Sequence, residues 1–184
     1  RGFARIYTKA TTILVDDPLF TFIGSGKILG GVPIQFVYML VVIVISGLIL
    51  NRTKFGRNIY AVGDNKQAAS YSGINSRRVT MTVFVIMGIF ASCAGILSSA
   101  RTFSAQFNVG EGSEMDAISA VVLGGTSMSG GVGRLSGTII GCIVIGVLNN
   151  GMNILGIDSS WQYVVKGVVV LIAVFIDYIK KMKD

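Results

Sequence analysis

The side chains most able to do chemistry in this sequence are few and widely separated. No histidine occurs among the 184 residues, so the commonest proton shuttle and the commonest metal ligand are absent. Cys93 and Cys142 lack the close spacing of a zinc site and are expected to be small buried residues. Neither a nucleophile with a base nor a carboxylate pair lies within an apolar segment. These features argue against a membrane-embedded enzyme.

A glycine-rich stretch at 124–137, GGTSMSGGVGRLSG, invites comparison with a nucleotide-binding loop. Gly125 and Gly130 have the gap of a phosphate-binding loop, but Gly131 and Val132 follow where Lys and Ser or Thr are required. The remaining glycines are one residue too widely spaced for a dinucleotide turn. A broken membrane segment fits better, because irregular backbone at membrane depth is tolerated beside protein or a water-filled cavity. Such breaks often lie near a transport path.

Uncharged amides and one lysine are the polar groups of the last apolar segments. Asn149 and Asn153 are four residues apart and therefore share a helix face. Such amides either join helices or bind a polar solute, and the first role is favoured. Lys166 is expected to extend its stem to the outer surface of the membrane, in preference to lining a pathway. The candidate substrate-path residues are Thr126, Asn149, Asn150 and Asn153.

The elements that carry these residues are predicted to be membrane helices. Hydrophobic residues make up 52% of the chain and charged residues only 14%, against about 25% charged in a soluble domain. About 20 apolar residues in a helix cross a bilayer core of about 30 Å. The windows of suitable length give spans at about 32–50, 79–100, 117–133, 137–156 and 161–179, of which 117–133 is the weakest.

The charges predict how these spans are oriented. The loop 51–78 carries six basic residues and one acid, Asp64, and should be cytoplasmic by the positive-inside rule. The basic tail should be cytoplasmic as well, which requires 117–133 to cross. The net charge of +7 is then mainly a cytoplasmic excess, so nucleic-acid binding has no support. The tail residues concerned are Lys180, Lys181 and Lys183.

The cytoplasmic loop is predicted to contain a short helix over 64–73. Asp64 and Gln67 have the spacing of a capping box. Gly73 suits the position after the last helical residue, with Ile74 as its hydrophobic contact. A polar, alanine-rich helix has little to insert into lipid, so a docking surface for a cytoplasmic partner is favoured over a lipid-facing helix.

Four segments together resemble the permease subunit of ribose-type monosaccharide ABC importers. They are GRNIYAVGDN at 56–65, SGIN at 72–75, DAISAVVLGGTS at 116–127 and GVLNNGMN at 146–153. Because such subunits are longer and this chain begins with Arg1, the resemblance implies that 1–184 is the C-terminal part of one permease domain. It also implies that the 64–73 helix couples the permease to an ATPase. The coupling residues by this resemblance are Gly63, Asp64, Asn65, Gln67, Ala68, Ala69, Gly73 and Arg77.

The sequence therefore predicts an all-α, polytopic transmembrane helix bundle with a broken glycine-rich segment and a short cytoplasmic coupling helix. The resemblance implies uptake of a ribose-like monosaccharide across the bacterial inner membrane, with the C-terminus in the cytoplasm. The implied partners are an ABC ATPase, an extracytoplasmic sugar-binding protein and a second permease, identical or paralogous. No cofactor is expected on this chain. The alternative is a carrier or channel that works alone, and no motif specifies the sugar.

Overall fold

The computed structural model describes residues 2–9, 11–15, 17–28 and 31–181, and most of them are helical. This confirms the predicted all-α class. The helices are α1 Gly2–Tyr7, α2 Pro18–Ser25, α3 Ile34–Arg52, α4 Lys54–Asp64, α5 Lys66–Tyr71, α6 Ser76–Arg101, α7 Ser113–Leu123, α8 Leu135–Ile154 and α9 Ser159–Lys181. The strands are β1 Ile13–Leu14, β2 Lys27–Ile28, β3 Val32–Pro33 and β4 Ser104–Ala105.

Three helices are long and apolar enough to cross a membrane: α3, α6 and α8. Only 6% of the apolar windows of α3 and α6, and 17% of that of α8, is buried inside the protein. Large apolar side chains such as Phe84 and Ile140 therefore project outward, which is how residues facing lipid are arranged. The described part of α9 adds a shorter apolar stretch, Ser159–Phe175.

The weakest predicted span, 117–133, is helical only in its first part. α7 has 11 residues and ends at Leu123, so it rises about 16 Å and is too short to cross the bilayer alone. Residues 124–134 are turns and coil. Gly125, Gly130 and Gly131 adopt positive φ angles of 83°, 97° and 76°, which glycine accepts readily. The predicted break in this segment is confirmed.

The predicted loop 51–78 is more helical than the sequence indicates. α4 occupies Lys54–Asp64, with Thr53 as its N-cap: the Thr53 Oγ1 accepts a hydrogen bond from the Gly56 N–H at 3.1 Å. Phe55, Ile59 and Val62 are partly buried on one side of the helix. Their i, i+4, i+7 spacing after a threonine cap is the signal that identifies this helix.

The chain divides into two compact units, and the first comprises Arg1–Ile49 and Arg77–Glu111. Two short antiparallel pairs, β1 with β4 and β2 with β3, belong to this unit. The Gln35 side-chain amide donates to the Gly24 carbonyl at 2.6 Å, which fixes the start of α3 to the end of α2. A Cβ at Gly24 would overlap the Ala100 backbone, so this glycine permits close packing of α2 on α6.

The second unit comprises Leu50–Ser76 and Gly112–Asp184 and contains nearly all of the candidate site residues. Its core is the packing of α7 on α8 and α9. Gly137 and Gly141 of α8 approach the backbone of Gly124 and Ala120, where a Cβ would overlap a carbonyl oxygen. Small residues at this spacing let helix backbones approach closely where a hydrophobic driving force is weak.

Some residues used in the charge prediction lie outside the described part of the chain. These are Arg1, Asp16, Lys183 and Asp184, together with the side chains of Asp177, Lys180 and Lys181. The orientation of the C-terminus therefore stays a prediction.

Candidate functional site

The predicted coupling helix is present as α5, but its cap is one residue further along than expected. The Asn65 Oδ1 accepts hydrogen bonds from the N–H groups of Gln67 and Ala68, both at 3.0 Å. Asp64 is instead the last residue of α4, so the prediction of an Asp64 cap is wrong. Asn65 adopts an extended conformation, with φ −145° and ψ 104°, and ends α4 while it begins α5. Asn is among the strongest N-caps, which explains why it takes this role.

The end of α5 matches the prediction. Gly73 has a φ of 81° and lies directly after the C-cap Ser72. The Gly73 N–H donates to the Ser70 carbonyl and the Ile74 N–H donates to the Ala69 carbonyl, both at 3.0 Å. These two bonds define a Schellman motif, which requires the left-handed conformation at the glycine.

The residues predicted to couple the permease to an ATPase divide into an exposed group and a buried one. Gln67 and Ala68 are exposed on α5, whereas Ala69 is only 4% exposed. Ala69 is therefore the inward-facing residue of α5. Arg77 is exposed on α6 and belongs to the other compact unit. Tyr71, at the end of α5, is 91% exposed and is not among the residues predicted from the sequence. An exposed aromatic on a polar helix is the signal that identifies it.

The turn between α4 and α5 packs against the glycine-rich segment. A Cβ at Gly63 would lie 2.8 Å from the Gly131 nitrogen, and a Cβ at Gly131 would lie 2.9 Å from the Asp64 Cα. A Cβ at Gly130 would come closer still and overlap the Gly63 carbonyl oxygen. One turn earlier in α4, the Tyr60 hydroxyl donates to the Gly133 carbonyl at 3.1 Å.

A cavity of about 340 Å³ lies between α4 and the glycine-rich segment, and Thr126 contributes to its wall. Tyr60, Ser127 and Thr138 supply further hydroxyl groups, and Arg134 supplies a charge at its exposed edge. The remaining wall is mainly aliphatic or glycine backbone. A few hydroxyls in an otherwise apolar cavity can pass hydrogen bonds to a neutral polar solute without holding it tightly.

Lys166 forms an ion pair inside the second unit instead of reaching the outer surface of the membrane. Its Nζ is 2.6 Å from the Asp116 Oδ1, and the lysine is only 8% exposed. The Asn149 side-chain amide donates to the Asp116 Oδ2 at 3.2 Å. The expectation of an extended lysine is therefore wrong, because Asp116 lies within the first turn of α7 and not in a loop. A buried charge is retained where an opposite charge and a hydrogen bond compensate for its desolvation.

The other amides act mainly between helices. The Gln162 side-chain amide of α9 donates to the Asn153 Oδ1 of α8 at 2.9 Å. Asn149 joins α8 to α7 in the same way, and Asn150 is exposed. The role in joining helices, favoured from the sequence, is thus observed for two of the three amides. The Asn149 Oδ1 is buried and has no hydrogen-bond partner among the described residues.

The described residues contain no cluster of His, Cys, Asp or Glu suited to a metal ion. Cys93 and Cys142 are both exposed on their helices, so the expectation that they are buried is wrong. Cys93 lies on α6 and Cys142 on α8, and few residues of either helix are buried inside the protein. The two cysteines therefore share the environment of the exposed apolar side chains beside them.

Comparisons with known proteins place this chain in a transport family. Residues 3–174 match the family described as branched-chain amino acid transport system / permease component. The ribose import permease protein RbsC of Bacillus subtilis is 46% identical over 179 residues, covering 96% of this chain and 55% of the relative. RbsC of Escherichia coli is 44% identical over 181 residues, covering 96% of this chain and 56% of the relative.

A third relative has a different substrate in its name. The xylose transport system permease protein XylH of Haemophilus influenzae is 44% identical over 154 residues, covering 83% of this chain and 41% of the relative. The chain thus spans about half the length of the curated relatives that it matches. No solved structure matches it. These relatives are transport subunits and not enzymes, in agreement with the sequence. From the matched family and the membrane helices, this multi-pass membrane protein belongs to the transport-system permease family.

Proposed function

We propose that this chain forms part of the permease of an ATP-binding-cassette importer for a ribose-like monosaccharide. The observation that carries the proposal is α5: a short, doubly capped helix whose exposed face is polar apart from Ala68 and Tyr71. The identities of 46% and 44% to ribose import permeases support the substrate class. The ATPase is expected on a partner chain, with a sugar-binding protein outside and a second permease beside this one.

The proposed ATPase contact is centred on α5 and the turn before it. Gln67, Ala68 and Tyr71 supply the exposed surface, and Tyr71 is the side chain best suited to fill a pocket on the partner. Asn65 and Gly73 set the two ends of the helix. Gly63, Asp64 and Ala69 fix it to the rest of the unit, and Arg77 follows at the start of α6.

The proposed sugar path includes Thr126, which lines the cavity beside α4. A neutral sugar needs no charged site, and hydroxyl groups with backbone carbonyls are sufficient to pass it along. Asn150 stays in the proposal as an exposed amide of α8. Asn149 and Asn153 are engaged between helices, so in this proposal they shape the path and contact sugar only through their remaining polar atoms.

The test is uptake by the reconstituted complex. The permease, its ATPase and its binding protein are placed in liposomes, and uptake of labelled ribose and xylose is measured with and without ATP. We expect ribose uptake that requires ATP and both partners. Uptake by the permease alone would contradict the proposal and would identify a carrier or channel.

Substitution on α5 tests the docking surface separately. Ala68→Arg places a long charged side chain on the proposed contact and should reduce uptake at least tenfold, the effect of losing about 1.4 kcal/mol of binding. Ala68→Ser at the same position is the matched control and should retain uptake. Both variants should insert in the membrane normally. Normal uptake by Ala68→Arg would exclude this surface as the ATPase contact.

A further inference from the structure

The contact between Gly63 and the pair Gly130 and Gly131, called here the glycine contact, joins the turn before α5 to the glycine-rich segment. Backbone meets backbone at this point, since the Gly131 nitrogen is 2.8 Å from the position of a Gly63 Cβ. That distance is shorter than any Cβ tolerates, so a side chain at Gly63 must push the two segments apart. Between Gly63 and the two glycines the contact is made by backbone atoms, and the Asp64 side chain lies beside Gly131.

The segment on one side of the glycine contact is a closed loop. The Ser127 N–H donates to the Val132 carbonyl at 2.9 Å, and the Gly130 N–H donates to the Ser127 carbonyl at 3.2 Å. The Tyr60 hydroxyl ties the next residue, Gly133, to α4. Residues 127–133 are therefore held together internally and attached to α4 at two points one helical turn apart.

The segment on the other side is continuous with the proposed ATPase contact. Asn65 is both the last cap of α4 and the N-cap of α5, so one residue separates the two helices. Its Oδ1 accepts two hydrogen bonds from α5. A displacement of α5 is thus carried to Gly63 through a single capped residue and not through a long flexible linker.

We infer that the glycine contact is the mechanical connection by which movement of α5 reshapes the cavity lined by Thr126. Gly63, Gly130 and Gly131 are positioning residues in this scheme, because they act by setting the shape of the cavity that they border together with Thr126. The inference rests on the proposed function, because it assumes that an ATPase moves α5.

The first experiment compares two glycine-to-alanine substitutions in the reconstituted complex. Gly63→Ala introduces a Cβ into the glycine contact, whereas Gly146→Ala adds one in α8 where nothing lies within 4 Å. We expect Gly63→Ala to lower ATP-driven ribose uptake about tenfold, within the range by which residues along coupled networks alter coupling. ATP hydrolysis should continue in this variant but lose its stimulation by the sugar-loaded binding protein. Gly146→Ala should behave like the unsubstituted protein.

A labelling experiment separates coupling from simple misfolding. Thr126→Cys is introduced after Cys93 and Cys142 are changed to serine, and its reaction with a maleimide is timed with and without bound ATP. We expect the rate to depend on ATP when residue 63 is glycine and to become independent of ATP in the Gly63→Ala background. A merely structural defect would change both rates and preserve their ratio.

A third variant keeps the inference testable if Gly63→Ala does not assemble. Tyr60→Phe removes only the hydrogen bond to Gly133 and should lower the ATP-dependent change in labelling by about twofold or more. Unchanged labelling in Tyr60→Phe, or unchanged uptake and stimulation in Gly63→Ala, would overturn the inference. Absence of ATP-driven uptake in the unsubstituted complex would instead overturn the proposed function.

Discussion

The ion pair between Lys166 and Asp116 shows why the partner of a single side chain is hard to predict from the sequence. Lys166 lies in an apolar segment, five residues after Trp161, an aromatic residue typical of the membrane interface, and this position favours an extended stem. The partner lies in another helix 50 residues earlier, in a turn that reads as a loop. Only the packing of α7 against α9 brings the two charges to 2.6 Å.

Breaking this ion pair should destabilise the protein. Lys166→Met leaves Asp116 unpaired beside apolar helices, and the expected loss is about 3 kcal/mol in the free energy of unfolding. We place it at the lower end of the range for buried pairs because 31% of the Asp116 side chain is exposed. Denaturation of the purified protein in detergent, followed by the loss of helical circular dichroism, measures the change.

The double variant Lys166→Met/Asp116→Leu is the control for that experiment. Removing both charges leaves no uncompensated ion, so most of the lost stability should return. The Asn149 amide then loses its acceptor, which leaves a residual cost of about 1 kcal/mol. A double variant as unstable as the single one would show that the pairing is not what stabilises the bundle.

Asp158 gives a prediction that depends on pH. Hydrogen bonds from the side chain and then the backbone N–H of Ser160 hold the pKa of the Asp158 carboxyl below its usual value of 3.8. A carboxyl whose pKa is lowered by folding stabilises the protein above its unfolded pKa and loses that effect as the pH falls through its folded pKa. The contribution is thus fully present near neutral pH and is lost below about pH 4.

The check is the melting temperature of Asp158→Asn, which keeps a side-chain oxygen for the start of α9 but cannot ionise. The variant should melt below the unsubstituted protein at about pH 6, and the two curves should converge at about pH 3 or lower. A difference that does not change with pH would contradict the assigned role of the charge.

At the scale of elements, the close approach of α7 and α8 depends on glycines that carry no side chain. Gly141 meets the Ala120 carbonyl and Gly137 meets the Gly124 backbone. The spacing of small residues in the sequence predicts this kind of packing but not the partner helix.

Gly141→Ala tests this packing against a matched substitution on the same helix. A Cβ at Gly141 would overlap the Ala120 carbonyl oxygen, and overpacking of this kind costs about 1–3 kcal/mol. Gly146→Ala has open space and should be neutral or should stabilise α8 by up to about 1 kcal/mol. Thermal unfolding in detergent compares them, and equal melting temperatures would exclude tight packing at Gly141.

Local signals explain which elements were predictable. The ends of α5 follow from a strong N-cap near 65 and a glycine at 73, and the sequence placed them within two residues. α4 was not predicted because basic and polar residues separate the apolar positions that give its helical periodicity. The end of α7 at Leu123 was not predicted to the residue. The residues before it, Val121 to Leu123, are apolar and suit a longer membrane helix, and the helix ends only because glycines follow.

At the scale of the whole molecule, composition identifies a membrane protein more securely than it gives the topology. The three long apolar helices appear close to the predicted windows, because about 20 uncharged residues in a row admit few alternatives. The placement of each loop relative to the membrane depends on charge counts and on whether 117–133 crosses, and these stay predictions.

Cysteine labelling tests the topology. Val132 is 64% exposed and Ser136 is exposed, so Val132→Cys and Ser136→Cys are accessible positions in a background with Cys93 and Cys142 changed to serine. A membrane-impermeant maleimide should modify both in inside-out vesicles and neither in right-side-out vesicles. Ser159→Cys, at the start of α9, should lie outside by the same orientation and give the opposite result. Modification of 132 and 136 only from outside would refute the proposed crossing of 117–133.

The order of Asp116 and Lys166 along the chain has a consequence for biogenesis. A lysine at the centre of a nascent membrane helix costs about 2.5–3.5 kcal/mol at insertion, and Lys166, the eighth residue of α9, should carry a smaller cost of the same kind. Because synthesis starts at the N-terminus, Asp116 emerges 50 residues before Lys166. The segment of α7 that carries the Asp116 carboxylate is therefore made before α9 leaves the ribosome. We expect this earlier helix to assist the insertion of α9, so that a chain lacking Asp116 retains α9 in the translocon longer.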